Sequence, residues 1–144
     1  MTQLKAHTEL VPSAIEEILR YYAPFQATFR RANRDVEVAG VTIPKDNRIV
    51  VLLASANRDA SVFDRPDEVV IDRDPNRHLA FGMGIHYCLG APLARMEGAI
   101  ALETLLPRIK RVEILDADAG ALLRPGGPDS MHVGFELDRA SVPA

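Results

Sequence analysis

The stretch FGMGIHYCLGAPLAR, residues 81–95, constrains this chain more than any other. It carries Cys88, the sole cysteine, in a glycine-punctuated loop that leads into a helix. Gly82, Gly84 and Gly90 surround the sulfur, and glycine lets a backbone turn tightly or approach a bulky group. Pro92 falls where a first helical turn tolerates proline. Leu89, Leu93, Met96 and Ile100 then recur at helical spacing, which predicts a buried face on a helix that runs to about Leu106 and stops at Pro107. Cys88 is therefore expected at or just before a helix N-terminus, where the dipole and free amides favour an anionic sulfur.

A lone cysteine is most often a small buried hydrophobe, but these surroundings argue for a ligand. A lone thiolate beside a cleared backbone suits the axial position of a heme iron. The pattern Phe-Gly-x-Gly-x-His-x-Cys-x-Gly, followed by Ala-Pro-Leu-Ala-Arg, fixes Phe81, Gly82, Gly84, His86, Cys88 and Gly90 at once. It closely resembles the heme-binding loop of the bacterial cytochrome P450 family. By that resemblance Cys88 is the proximal ligand to the iron of heme b, and the amides of Leu89, Gly90 and Ala91 point at its sulfur. Phe81 would shield the sulfur, while Gly82 and Gly84 would shape the loop.

Composition sets the bounds. A chain of 144 residues is one domain's worth, with 47% hydrophobic and 26% charged residues, within globular norms. The net charge of -3 gives no case for nucleic acid. The longest apolar run, Ile49 to Ala54, is far short of a membrane span, and the start MTQLKAHTELVP lacks the pattern of a signal peptide. One cysteine rules out an internal disulfide and suits a reducing compartment. The expectation is a soluble, cytoplasmic chain that binds no membrane. Members of the resembling family are normally much longer, and the likeness covers only their C-terminal third or so. The implied fold class is α+β, the C-terminal part of the mainly-α cytochrome P450 fold.

Residues 1–12 read as a polar lead-in. Ser13 is expected as an N-cap with Glu16 as its capping-box partner, opening a helix over 13–23 that buries Ala14, Ile15, Ile18 and Leu19 and ends at Pro24. Glu17 and Arg20 stand three apart on one face of it. Surface pairs of this kind are common and contribute little. With the cysteine loop downstream, however, EEILRY resembles the family's ExxR motif, whose Glu and Arg form a buried network with a later arginine, here Arg73. Where the family often carries an aromatic four residues before that arginine, this chain has Val69. The network's role would be structural, holding the loop below the heme.

The segment FQATFRRANRD follows. The resemblance places Arg30 on a heme propionate, a role that its planar donor fork suits, and sets Phe25, Gln26 and Ala27 along the substrate pocket. A β region is expected over 36–54: a hairpin from Val36, Val38, Val41 and Ile43 with Gly40 at its turn, then a buried strand in IVVLLASANRD. Residues 60–80, rich in Asp, Arg and Pro, read as a long ordered loop, the meander before the cysteine loop at 81–90. His78 and His86 invite a zinc reading, but no second cysteine completes a four-ligand set. The resemblance instead gives His78 to a heme propionate and His86 to a heme-facing basic position, although a satisfied surface histidine also fits His86.

The helix after Cys88 is expected over 89–106, and a C-terminal β region over 112–138 includes a pocket-lining loop near Leu123. Arg108, Lys110 and Arg111 form a modest basic cluster. It reads either as a solvated face or, by resemblance, as a docking site for an acidic electron donor of the ferredoxin type. The implied activity is heme-thiolate monooxygenation of a small organic substrate. The family carries its oxygen-activating acid–alcohol pair on a distal helix that has no counterpart before Ser13. A module completed by another polypeptide, or an inactive relic, is therefore the alternative.

Overall fold

The computed structural model describes residues 2–115 and 130–138. Two short helical segments, α1 (Thr2–Ala6) and a 3-10 turn (Thr8–Leu10), feed directly into α2 (Val11–Tyr22). The amino-terminal lead-in is thus helical and contributes Leu4 to the core. Because Leu10 already has helical dihedrals, α2 needs no capping box. Ser13 sits inside the first turn, donating from Oγ to the Leu10 carbonyl at 3.0 Å, and Pro12 occupies the first-turn position that lacks a hydrogen-bond partner anyway. At the other end Ala23 adopts a left-handed conformation (φ 38°) and donates its N–H to the Leu19 carbonyl, a standard helix stop reinforced by Pro24.

Helix α2 is covered on two sides. Val11, Ala14 and Ile15 join Leu4 and Leu106 in the main apolar cluster, with Leu19 at its edge. Glu17 and Arg20, both fully buried, face the segment 57–80 instead. That second covered side displaces Ile18, which was expected inside and is exposed.

The chain then forms two antiparallel ribbons. Strand β1 (Thr28–Arg31) pairs with β4 (Arg48–Val51), and β2 (Val36–Val38) pairs with β3 (Val41–Ile43). Ala39 (φ 49°) and Gly40 (φ 79°) form the two-residue turn that joins Val38 to Val41, as the twist of a hairpin demands. Strand β4 was expected to be buried, yet only Ile49 is partly covered and Val50 and Val51 are exposed. A two-stranded ribbon buries a face only against a second layer, and none of the described residues supplies one there.

A one-turn helix, α3 (Leu53–Ala56), is followed by a long segment of turns that ends in a 3-10 turn at Gly84–His86. Helix α4 (Ala91–Leu105) packs on α2, and β5 (Ile109–Ile114) pairs with β6 (Val133–Leu137). The face α4 turns inward is Ala91, Arg95, Gly98, Ala99, Leu102 and the following Leu106. The apolar stripe expected to be buried, Leu89, Leu93, Met96 and Ile100, is exposed. The two stripes are offset by about two residues, or roughly 200° of helix rotation. The inward stripe carries the smaller side chains, and a Cβ added at Gly98 would stand in ordinary contact with Ile15 Cδ1 at 3.5 Å. Among the described residues no helix is long and apolar enough to cross a membrane.

Candidate functional site

The site is built on two adjacent glutamates of α2. Glu17 is fully buried and accepts five hydrogen bonds. Arg20 Nε and an Nη reach its two oxygens at 2.8 Å each, Arg73 Nε donates at 3.0 Å, Asn76 Nδ2 at 3.0 Å and the Val70 amide at 2.8 Å. Arg20 spends its remaining donors on the carbonyls of Asn57, Pro66 and Glu68 at 2.7–2.8 Å. All five of its N–H groups are thereby satisfied. Arg73 donates to the carbonyls of Asp64 and Arg65. Burial pushes the Glu17 carboxyl upward, but the bonds from Arg20, Val70 and Arg73 outweigh it and hold the pKa down at about 2. The structure thus brings Glu17, Arg20 and Arg73 together. Beside them lies the buried Phe63, whose ring is 5.3 Å from the Arg20 guanidinium and 5.9 Å from that of Arg73.

Asn57 and Asn76 belong to this arrangement although sequence reasoning passed over both. Asn57, fully buried, accepts the Leu79 amide on Oδ1 at 2.7 Å and so ties α3 to the entry of the cysteine loop. The signal for Asn57 was the ANRD turn after an apolar strand. Nothing in the local pattern marks Asn76.

Glu16 makes the second set of contacts. Arg95 closes on it bidentately, with Nε at 2.6 Å and an Nη at 2.8 Å, and uses its other Nη to donate to Tyr87 Oη at 2.9 Å. The same guanidinium lies over the Phe81 ring at 4.6 Å. Hydrogen bonds from Arg95 hold the Glu16 carboxyl below its usual range, and Glu16 in turn raises the basicity of Arg95.

His78 also meets Glu16, with Nε2 at 3.0 Å from Oε2, while its Nδ1 accepts the Ala80 amide at 3.1 Å. The second bond fixes the neutral tautomer that carries its proton on Nε2. Burial lowers the His78 pKa further than Glu16 raises it. With its side chain 3% exposed and both ring nitrogens engaged, His78 has no nitrogen left for a propionate, contrary to the expectation from sequence.

Cys88 itself is exposed. Its amide donates to the Phe81 carbonyl at 2.9 Å, closing the loop on itself. Gly82 (φ 70°) and Gly84 (φ 71°) take conformations that side chains disfavour, and Tyr87 N–H caps the turn at the Gly84 carbonyl. The Ala91 amide was expected to face the sulfur and instead donates to the Cys88 carbonyl at 3.3 Å. Gly90 leaves room beside the sulfur, since a Cβ there would stand 3.8 Å from Sγ. Met83, Ile85 and Leu89 rim the loop, the last two 98% exposed.

Next to this loop an open groove of about 670 Å³ is lined by Phe29, Arg30, Arg31, Arg48 and His86. Arg30 lies along β1, donating to Thr28 Oγ1 and the Phe29 carbonyl. The structure thus brings Arg30 and His86 together. Phe25 (73% exposed), Gln26 and Ala27 precede β1, and the Gln26 carbonyl accepts the Ala54 amide. Leu123 lies outside the described residues. Of the basic cluster beyond α4, Lys110 pairs with Glu136 at 2.6 Å and Arg111 stands 3.8 Å from Glu113, so two of its three cations already face carboxylates.

The described residues thus set an exposed cysteine on a glycine loop, backed by a buried Glu–Arg–Arg network and flanked by a groove lined with arginines. The comparisons name the family. A family model described as cytochrome P450 matches residues 2–116. A putative cytochrome P450, YjiB of Bacillus subtilis, is 49% identical over 111 residues, covering 77% of this chain and 28% of that protein. The crystal structure of P450BioI in complex with a hexadec-9Z-enoic acid ligated acyl carrier protein superposes with a TM-score of 0.78 at 45% identity, covering 81% of this chain and 30% of that one. Cytochrome P450 CYP109Q5 from Chondromyces apiculatus gives 0.87 at 39% identity, covering 95% and 36%. The chain belongs to the cytochrome P450 family, and its α+β architecture matches part of that fold. It spans under a third of the length of these curated relatives.

Proposed function

We propose that this chain is the C-terminal, heme-binding part of a bacterial cytochrome P450 monooxygenase, with Cys88 as the axial ligand to the iron of heme b. The observation that carries the reading is the sulfur's setting. Cys88 stands exposed on a loop rimmed by bare apolar side chains, and the adjoining groove is lined by Arg30, Arg31, Arg48 and His86. A soft sulfur donor, an apolar rim and a nearby set of cations fit a flat apolar macrocycle that carries carboxylates. When bound, heme supplies the dioxygen chemistry that puts one oxygen atom into an organic substrate, and a thiolate ligand pushes electron density toward the iron.

This chain's residues then hold and orient. Arg30 and His86 would pair with the carboxylates and Phe81 would pack near the sulfur, while Gly82, Gly84, Leu89, Gly90 and Ala91 would give the loop its shape. The Glu17–Arg20–Arg73 network keeps the loop at a fixed height. Phe25, Gln26 and Ala27 would contribute to a pocket for a small organic substrate, and a ferredoxin-type protein would supply electrons. Heme titration followed by Soret absorbance tests the assignment: Arg30→Ala weakens binding about tenfold, the loss expected for one charge-assisted contact, and Cys88→Ser, which removes the sulfur donor to the iron, weakens it further. Equal affinity in Cys88→Ser would remove the cysteine from the site.

The bare stripe Leu93, Met96 and Ile100 on α4 favours a second reading, in which heme is enclosed only when a further stretch of polypeptide covers that face. In that case the chain is a heme-binding module without catalysis of its own.

A further inference from the structure

The heme-thiolate reading assigns no task to Glu16, yet both of its partners, Arg95 and His78, contact aromatic residues of the cysteine loop. Neighbouring carboxylates on α2 serve different limbs: Glu17 turns to Arg20 and Arg73, and Glu16 turns to Arg95 on α4 and to His78. Arg95 carries the contact onward twice, donating to Tyr87 Oη and lying over the Phe81 ring. His78 approaches that same ring, with centroids 6.1 Å apart, and the Phe81 and Tyr87 rings meet edge to face at 6.3 Å. Phe81 supplies the carbonyl that binds the Cys88 amide, and Tyr87 immediately precedes Cys88.

We propose that Glu16, acting through Arg95 and His78, is the positioning residue for Cys88: it anchors Phe81 and Tyr87, the aromatic residues on either side of Gly82–His86, and so fixes where the sulfur stands. The loop between them is exposed and glycine-rich, with little apolar burial of its own to hold it. Both its aromatic anchors end on one guanidinium, and that guanidinium is oriented by one carboxylate. A planar fork can close on Glu16 with two nitrogens while a third reaches Tyr87. A lysine ammonium cannot reproduce that geometry.

The test is hydrogen–deuterium exchange at single amides in the full chain without heme. In Glu16→Gln and Arg95→Lys the Cys88 amide exchanges about tenfold faster than in wild type, the change that loss of one charge-assisted hydrogen bond gives. The Ala23 amide, bonded to the Leu19 carbonyl at the far end of α2, keeps its wild-type rate. Tyr87→Phe cuts a single contact and gives a smaller rise at the same place. It carries the test alone if the charge variants do not fold.

Equal acceleration at Cys88 and Ala23 would mean that Glu16 contributes only bulk stability, and unchanged rates in a folded variant would mean that it does not hold the loop. Either result overturns the proposal. Its consequence for the iron rests on the heme-thiolate reading and is read separately, as a loss of red-shifted Soret intensity in the carbon monoxide complex of each variant. If wild type shows no such band, that reading fails, and the amide rates still decide the role of Glu16.

Discussion

At the scale of single residues, Glu17 is where the chain is most committed. A buried carboxylate facing two guanidiniums is worth keeping only while every partner stays in place, because removing one member strands the others without solvent. Glu17→Gln leaves the Arg20 and Arg73 donors facing a neutral amide that accepts on one side only. Its expected cost is about 3–5 kcal/mol, read from denaturant midpoints. The same network sets an acid limit. Since the folded pKa of Glu17 lies near 2, below the ordinary 4.5, its contribution is fully present above about pH 4.5 and is lost as pH falls toward 2. The size of that contribution is about 3 kcal/mol. In Glu17→Gln this part of the acid destabilisation disappears, and a wild-type-like acid profile in that variant would contradict the assignment.

At the scale of elements, α4 shows what a sequence leaves undecided. Its residues are apolar on two opposite faces, and a helix of that kind is one meant to be covered all round. Periodicity alone picks the stripe with the larger side chains, Leu93, Met96 and Ile100, whereas α2 takes the one with Ala91, Gly98 and Ala99. The packing of the two helices decided the matter, and packing is a property of the pair. Gly98 has room for a methyl group, in ordinary contact with Ile15 at 3.5–3.7 Å. Gly98→Ala should therefore raise stability by about 0.5–1 kcal/mol, from helix propensity with no clash to offset it. A drop in melting temperature would contradict an α2–α4 seam with room for a methyl group at Gly98.

The Glu17–Arg20–Arg73 triad and the Cys88 loop were legible because a fixed spacing of unlike residues leaves few other readings. His78 was misplaced because its partner, Glu16, looked like a capping residue, and a cap and a long-range ion pair are the same letter in a sequence. Asn57 and Arg95 were invisible as members of the site, since Asn57 meets Leu79 and Arg95 meets Glu16 across more than twenty residues of chain, and only the fold brings those groups near.

At the scale of the whole molecule, the account turns on whether the described elements suffice to hold a heme through sulfur. The main core is small, centred on Leu4, Val11, Ala14, Ile15 and Leu106. Much large apolar surface lies outside it on β1, β4, α4 and the cysteine loop. Surface of that extent marks an interaction or binding face, and the heme-thiolate reading assigns the part around Cys88 to the macrocycle. The most direct measurement is a carbon monoxide difference spectrum of the chain after incubation with heme and reduction. A red-shifted Soret band of the thiolate-ligated type, abolished by Cys88→Ala, is the result predicted here. A soluble, folded chain that binds heme without that band, or keeps it in Cys88→Ala, would contradict the claim that Cys88 is the iron's ligand.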